Sequence, residues 1–183
     1  MNIKQLKYPI GEYISNNNPS KELLSEWIND IEKFPSNLMV TVDRLNEEQL
    51  NWRYRPEGWT IIQIIHHCAD SHINSYIRIK LALTENRPTI KPYYEEEWAN
   101  LADSLSSEID ESITLLVGLH KKLVRLIKSL TSGQLDMIFK HPQHGLNCTL
   151  GEYIGVLAWH CNHHLEHIKN GIKSNGKYNF NYS

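Results

Sequence analysis

From Leu23 onward, apolar residues return every three or four positions. Leu23, Leu24, Trp27, Ile28, Ile31, Phe34, Leu38 and Val42 keep that spacing, which places them on one face of a helix. Pro35 falls inside the run and is expected to kink or divide it. The Pro- and Gly-marked residues 55–59 lead into Thr60-Ile61-Ile62-Gln63, a capping box whose hydroxyl and amide satisfy free backbone donors. A helix over about 61–84 follows. Residues 87–97 carry Pro88, Pro92 and an acidic tract, and read as a long connection. Leu105, Ile109, Ile113, Leu116, Leu119, Leu123 and Ile127 predict a third helix over about 104–130. Gly133 and residues 141–145 mark another loop. Thr149-Leu150-Gly151-Glu152 is a second capping box, opening a helix over about 150–174. No strand-type hairpin and no internal repeat stand out. Four long helices with sizeable connections predict an all-α fold, a four-helix bundle with long loops.

Length and composition narrow the class. The 183 residues fit a single domain, 1–183, large enough to bury roughly 70% of its unfolded surface. Hydrophobic content of 40% and charged content of 22% are ordinary for a soluble globular protein. The formal charge of −2 offers nothing to a phosphate backbone or an anionic bilayer, so neither nucleic acid nor membrane is an expected partner. The first residues lack an apolar signal core, and no apolar run approaches the roughly 18 residues of a span. Cys68, Cys148 and Cys161 form no CxxC pair, which suits a reducing compartment. A cytoplasmic location is the expectation.

The histidines change the picture from a helical domain to a metal-dependent one. Four of them fall within residues 160–167. In that last helix Tyr153, Leu157, His160, His164 and Ile168 form one apolar line, so His160 and His164 occupy positions that leucines would otherwise take. Two imidazoles one turn apart point the same way and can grip one divalent ion. The plainer reading is a pair of core histidines bonded to polar neighbours. His163 and His167 lie on a more polar stripe with Glu166 and Asn170 and are expected on a solvated outer face. A third ligand must come from elsewhere. His66 follows the apolar line of Ile62, Ala69 and Ile73; His67 shares a polar stripe with Gln63, Asp70, Ser71, Asn74 and Arg78. Local spacing does not choose between them. His72, His120, His141 and His144 are scattered and read as surface or loop. Cys68 and Cys161 adjoin the site histidines, but one residue turns a helical side chain by about 100°, so they read as small core residues.

The ordered set of motifs resembles a known family. Residues 58–78, from Gly58-Trp59-Thr60 through His66-His67 to Arg78, resemble the first metal motif of the DinB superfamily, most closely its YfiT-like branch. Residues 80–85, 88–93, 118–120 and 158–164 resemble that branch too. The resemblance covers most of the chain. It implies a four-helix bundle and one divalent ion held by His67, eight residues after Trp59, together with His160 and His164. It also implies a homodimer, and an activity described either as metal-dependent hydrolysis or as bacillithiol S-transfer.

A three-histidine centre leaves coordination positions open, as catalytic sites do. Zinc or nickel suits the imidazole set. The open position can take water, whose pKa falls toward about 7, or the sulfur of a small thiol. Thiol transfer to a small electrophile is the preferred expectation, with hydrolysis of a small molecule second and a non-catalytic metal-binding bundle third. A thiol bearing carboxylates would need cationic or amide partners, and Arg78 and Asn74 are the candidates on the His67 face. Asp70 is the candidate for orienting a bound imidazole or acting as a base. For Arg78 the plainer reading is a surface salt bridge. The acidic tract within residues 93–98 is either a cover over the site mouth or a solvated loop with anchoring aromatics.

Overall fold

A computed structural model describes residues 2–142 and 146–179. His144 and the tip of the loop expected at 141–145 lie outside the described residues. A short α1 (Ile3–Lys7) is capped by Asn2, and α2 (Lys21–Val42) by the Ser20 hydroxyl, which accepts from the Leu23 N–H. Pro35 does not divide α2; it sits buried inside a continuous helix. Its ring supplies no N–H, so the Ile31 carbonyl one turn back loses its usual helical donor. After the single turn α3 (Glu47–Leu50), α4 (Ile61–Thr84) begins at the expected capping box of Thr60 and Gln63.

The long connection after α4 holds the turn α5 (Glu95–Trp98) and a 3₁₀ turn over Asp103–Leu105. The third long helix, α6 (Asp110–Lys128), starts six residues later than its apolar spacing predicts. Leu105 is largely exposed, so it takes no part in the buried face. The Ser106 hydroxyl accepts from the Glu108 N–H at 3.1 Å, a local bond that competes with helix extension. Beyond the turn α7 (Ser132–Leu135) comes a hairpin that the sequence reading did not anticipate. Strands β1 (Ile138–His141) and β2 (Leu146–Thr149) pair antiparallel, with Phe139 opposite Cys148. Four-residue strands give too little alternation to stand out, and the pairing is completed from a distance. Lys140 N donates to the Pro88 carbonyl and Ile90 N to the Lys140 carbonyl, tying the connection after α4 to β1. The final helix, α8 (Leu150–Ser174), runs from the Thr149 cap to Asn175, a left-handed residue that ends it.

The four long helices form the predicted bundle. α8 packs on α2 and α4, and α6 packs on the same two. Around the bundle the order is therefore α2, α6, α4, α8, so α2 and α4, consecutive among the long helices, do not neighbour each other. The connections from α2 to α4 and from α6 to α8 therefore cross the ends of the bundle, whereas the one from α4 to α6 joins neighbours. The core is Ile31, Phe34 and Leu38 of α2, Ile64, Ile65 and Ile79 of α4, Leu116 and Leu123 of α6, and Ile154 and Ile168 of α8. Full burial of each such side chain contributes about 1.5–3 kcal/mol before its entropy cost. No helix is long and apolar enough to cross a membrane among the described residues.

Close approach of α8 to α2 depends on Gly155. A Cβ there would meet the Trp27 indole at 2.7–2.9 Å. Gly155→Ala is expected to destabilise the protein by about 1–3 kcal/mol, through displacement of the indole, as read by the urea midpoint.

Candidate metal centre

His67 comes from the second turn of α4, and His160 and His164 from the middle of α8 one turn apart. One nitrogen from each lies within 4.8 Å of the other two. The Nε2 atoms of His67 and His160 are 3.2 Å apart. Two nitrogens on a tetrahedral ion with bonds of 2.0–2.1 Å would be about 3.3 Å apart, so that spacing suits a shared cation. Burial holds all three rings neutral. It lowers His67 to about 4, the effect reinforced by His163, and pushes His160 and His164 well below the usual histidine range. A neutral imidazole keeps the lone pair that a cation needs. The set therefore fits one divalent metal with positions left open.

The structure separates His67 from its neighbour. His66 points toward α6, with Nδ1 at 2.8 Å from the Ser112 hydroxyl and Nε2 at 3.0 Å from the Ser106 carbonyl. Trp59 packs beside His67 with ring centroids 4.6 Å apart, and its indole N–H donates to Glu96 of α5 at 2.9 Å.

The three ligand candidates open into a cavity of about 430 Å³ whose wall also includes Lys7, Arg55, Arg78 and the exposed carboxylates Glu57, Glu95 and Glu96. A second cavity of about 570 Å³ is more apolar, with Tyr13, Phe139, Tyr153, Val156 and Leu157 in its wall. The two share Ser71, Arg78, His141, Trp159 and His160.

Of the other residues singled out from the sequence, Arg78 is placed in the site. Among the described residues it makes no ion pair; its guanidinium donates to the Tyr153 hydroxyl at 3.2 Å and the Lys91 carbonyl at 3.4 Å, and lies 6.0 Å from the Tyr93 ring centroid. Tyr93, Glu95 and Glu96 stand in the cavity wall, as a cover over the site mouth requires. Asn74 is not brought to the site. Its amide donates back to the Asp70 carbonyl at 2.9 Å, and it lies in neither cavity wall. Asp70 is outside both walls as well. Burial and the nearby Asp103 carboxylate push its carboxyl up to about 6, with His66 opposing them.

Four histidines expected outside prove to be inside. His163 and His167 are buried, because α1 and the loop before α4 cover what would have been the outer face of α8. Tyr54 stacks on His167 at 3.9 Å, Tyr8 lies 6.1 Å from His163, and the Lys7 carbonyl meets His167 Nε2 at 3.1 Å. His72 and His120 are deeper still, at 0% and 2% exposure. A signal for both was present in the chain. His72 continues the line Cys68, Ser75, Ile79 and Ala82, and His120 the line Ile113, Leu116, Leu123 and Ile127, every one of them buried. Cys68 and Cys161 are core residues as expected, and burial raises both thiols above the range where a thiolate forms.

Fold and centre together define a helical bundle built around a three-histidine site for a divalent metal. The chain belongs to the DinB superfamily, whose model matches residues 30–168, a span that contains all three ligand candidates. It is 48% identical over 162 residues to a protein of Oceanobacillus iheyensis named "Putative metal-dependent hydrolase", covering 88% of this chain and 93% of that one. A Bacillus mycoides protein of the same name is 45% identical over 166 residues, covering 91% and 95%. Among solved structures, YfiT from Bacillus subtilis superposes with a TM-score of 0.91 at 41% identity, over 94% of this chain and 98% of that one. It is described as a "probable metal-dependent hydrolase with an unusual four-helix bundle topology".

Two measurements bear on the centre. Elemental analysis of untagged protein should find about one divalent ion per chain; His67→Ala, His160→Ala and His164→Ala should each abolish it, and His66→Ala should keep it. The second is stability against pH in the metal-free protein. His67 and His120 are lowered to about 4 and His167 to about 3, so between those values and about 6.5 the unfolded chain binds protons that the folded one refuses. Their stabilisation is complete above pH 6.5 and lost as pH falls toward 4. The raised Asp70 carboxyl opposes this, one group against these three and the other histidines that burial lowers, His160, His163 and His164 among them. The melting temperature should stay level above pH 7 and drop by on the order of 10 °C by pH 5.

Proposed function

We propose that this protein is a metal-dependent S-transferase, joining a low-molecular-weight thiol of the bacillithiol type to a small electrophile. The observation that carries the reading is the pair of cavities meeting at His160, one polar with Lys7, Arg55 and Arg78 and one more apolar. A transferase needs room for two substrates beside one centre; a hydrolase needs room for one and a water. A bound divalent ion, zinc or nickel in this proposal, supplies the charge that favours the ionised form of the nucleophile.

The chain's own residues do the rest. Arg78, held by Tyr153 and the Lys91 carbonyl, is positioned to receive a carboxylate of the thiol. Lys7 and Arg55 add positive charge on the same wall. Trp59 and Tyr93 narrow the mouth and keep water from the nucleophile. The sulfur loses its proton to solvent and attacks the electrophilic carbon; the new C–S bond forms as the leaving group departs with its electron pair. A homodimer acting in the cytoplasm on small molecules, without nucleic acid or membrane, completes the proposal.

Hydrolysis of a small molecule is the second reading, favoured by the names of the relatives. Against it, the ligand face offers no buried carboxylate base among the described residues. Asp70 lies outside both cavities, and the carboxylates that reach the polar one are exposed at its rim.

Metal-loaded protein incubated with bacillithiol and monochlorobimane should form the conjugate at least tenfold faster than the His160→Ala variant. Arg78→Ala should raise KM for the carboxylated thiol about tenfold while leaving cysteamine unaffected. Equal rates in wild type and His160→Ala would reject transfer. Turnover of an ester or amide panel by the wild type alone would then establish hydrolysis, and no turnover of either kind would leave a metal-binding bundle.

A further inference from the structure

His72, His120 and Cys161 bring one potential ligand atom each within 4.8 Å in the core, which raises the question of a second metal site. The distances answer it differently. His72 Nδ1 and His120 Nε2 are 2.9 Å apart, closer than the roughly 3.3 Å of two nitrogens on one tetrahedral ion and right for a direct hydrogen bond. The Cys161 sulfur stands 3.9 Å from a His72 nitrogen that already has a closer partner.

The cluster has one consistent proton arrangement, fixed from its far end. Pro35 lacks an N–H, so the Ile31 carbonyl is left without its helical donor, and His120 Nδ1 meets it at 2.7 Å. A carbonyl only accepts, so His120 carries its hydrogen on Nδ1 and is bare at Nε2. His72 must then donate from Nδ1, which leaves its Nε2 as acceptor. That atom lies 3.1 Å from His160 Nδ1, so His160 is the donor there and its Nε2 is bare. His160 Nε2 is the atom that faces His67. A shorter chain serves the other ligand on α8. The Lys7 carbonyl accepts from His167 Nε2 at 3.1 Å, His167 Nδ1 faces His164 Nδ1 at 3.4 Å, and His164 is left bare at Nε2.

We infer that His120 and His72 on one side, and His167 on the other, are positioning residues that lock His160 and His164 as Nδ1–H tautomers with Nε2 free for metal. Each relay ends on a main-chain carbonyl that no side-chain substitution at the ligands can alter. The inference rests on the metal-centre reading and is independent of which reaction the centre performs. Ligating histidines whose remote nitrogen is so held typically bind metal 10–100-fold more tightly than unsupported ones.

The test begins with metal-free protein carrying ¹⁵N-histidine, read by long-range ¹H–¹⁵N correlation at pH 7.5, which distinguishes the two tautomers without any metal. His72, His120, His160 and His164 should all be Nδ1–H, and His167 Nε2–H. An Nε2–H tautomer at His160 or His164 overturns the relay that serves it. The second step compares zinc affinity by chelator competition. His120→Leu removes both bonds and should weaken binding 10–100-fold. His120→Gln, whose amide can donate to the Ile31 carbonyl and accept from His72, should stay within about threefold of wild type. Equal affinities for the two variants would overturn the inference, as would two zinc ions per wild-type chain with His72 ligated. If His120→Leu does not fold, the wild-type tautomers and stoichiometry still decide. Loss of zinc binding in His160→Ala tests the centre itself, so its failure is distinct from that of the relay.

Discussion

Placing neutral imidazoles inside an apolar bundle imposes one constraint on everything around them. Each buried ring has an N–H that needs an acceptor and a bare nitrogen that needs a donor or a cation, and an unpaired group costs about 1–3 kcal/mol. For His160 and His164 the excess is routed outward through other histidines to two main-chain carbonyls, those of Ile31 and Lys7. What remains at the inner end of the relay through His160 is a bare nitrogen that faces His67 of α4. The polar network and the metal centre are thus two ends of one arrangement.

That constraint gives several features a common physical basis. Pro35 would be a defect in an ordinary helix; here it leaves a carbonyl free where buried His120 needs an acceptor. The five-residue α1 has little stability of its own, yet it closes the face of α8 that holds His163 and His167 and contributes the Lys7 carbonyl. The order of helices around the bundle sets α8 between α2 and α4, so ligands from α4 and α8 face one another while α6 delivers His120 to the same core. The loop before α4 and the connection after it bring Trp59, Tyr93 and Glu95 and Glu96 of the acidic turn α5 to the cavity wall.

Much of this was legible in the chain. The capping box at Thr60 and the Thr149 cap located the starts of α4 and α8, because capping is a local interaction between residues three apart. The Glu152 half of the second box does not form, its carboxylate accepting from the Ser15 hydroxyl instead. The apolar line through His160 and His164 marked them as inward-facing before any partner was known. Polarity was the misleading signal. It assigned His163 and His167 to solvent and His72 and His120 to surface or loop, although the latter two sit on helix lines whose other members are all buried. Counting an imidazole as polar fails where a second imidazole or a carbonyl is available to bond it. The same weakness applies to the stripe of Asp70, Asn74 and Arg78. Three residues on one helix face diverged, one into the cavity wall and two outside it.

The sequence by itself determined the helices, the bundle class and the inward aim of His160 and His164, because periodicity and capping act over three or four residues. The resemblance to a family, not local spacing, pointed to His67. Tertiary structure decided what depends on contacts far apart in the chain. It turned His66 toward Ser112 and His67 toward His160, paired β1 with β2 and with the connection after α4, and carried the Ile31 carbonyl to His120 across 89 residues. Which nitrogen of a histidine bears its hydrogen is set by whatever lies opposite it, and only the folded bundle puts those groups in place.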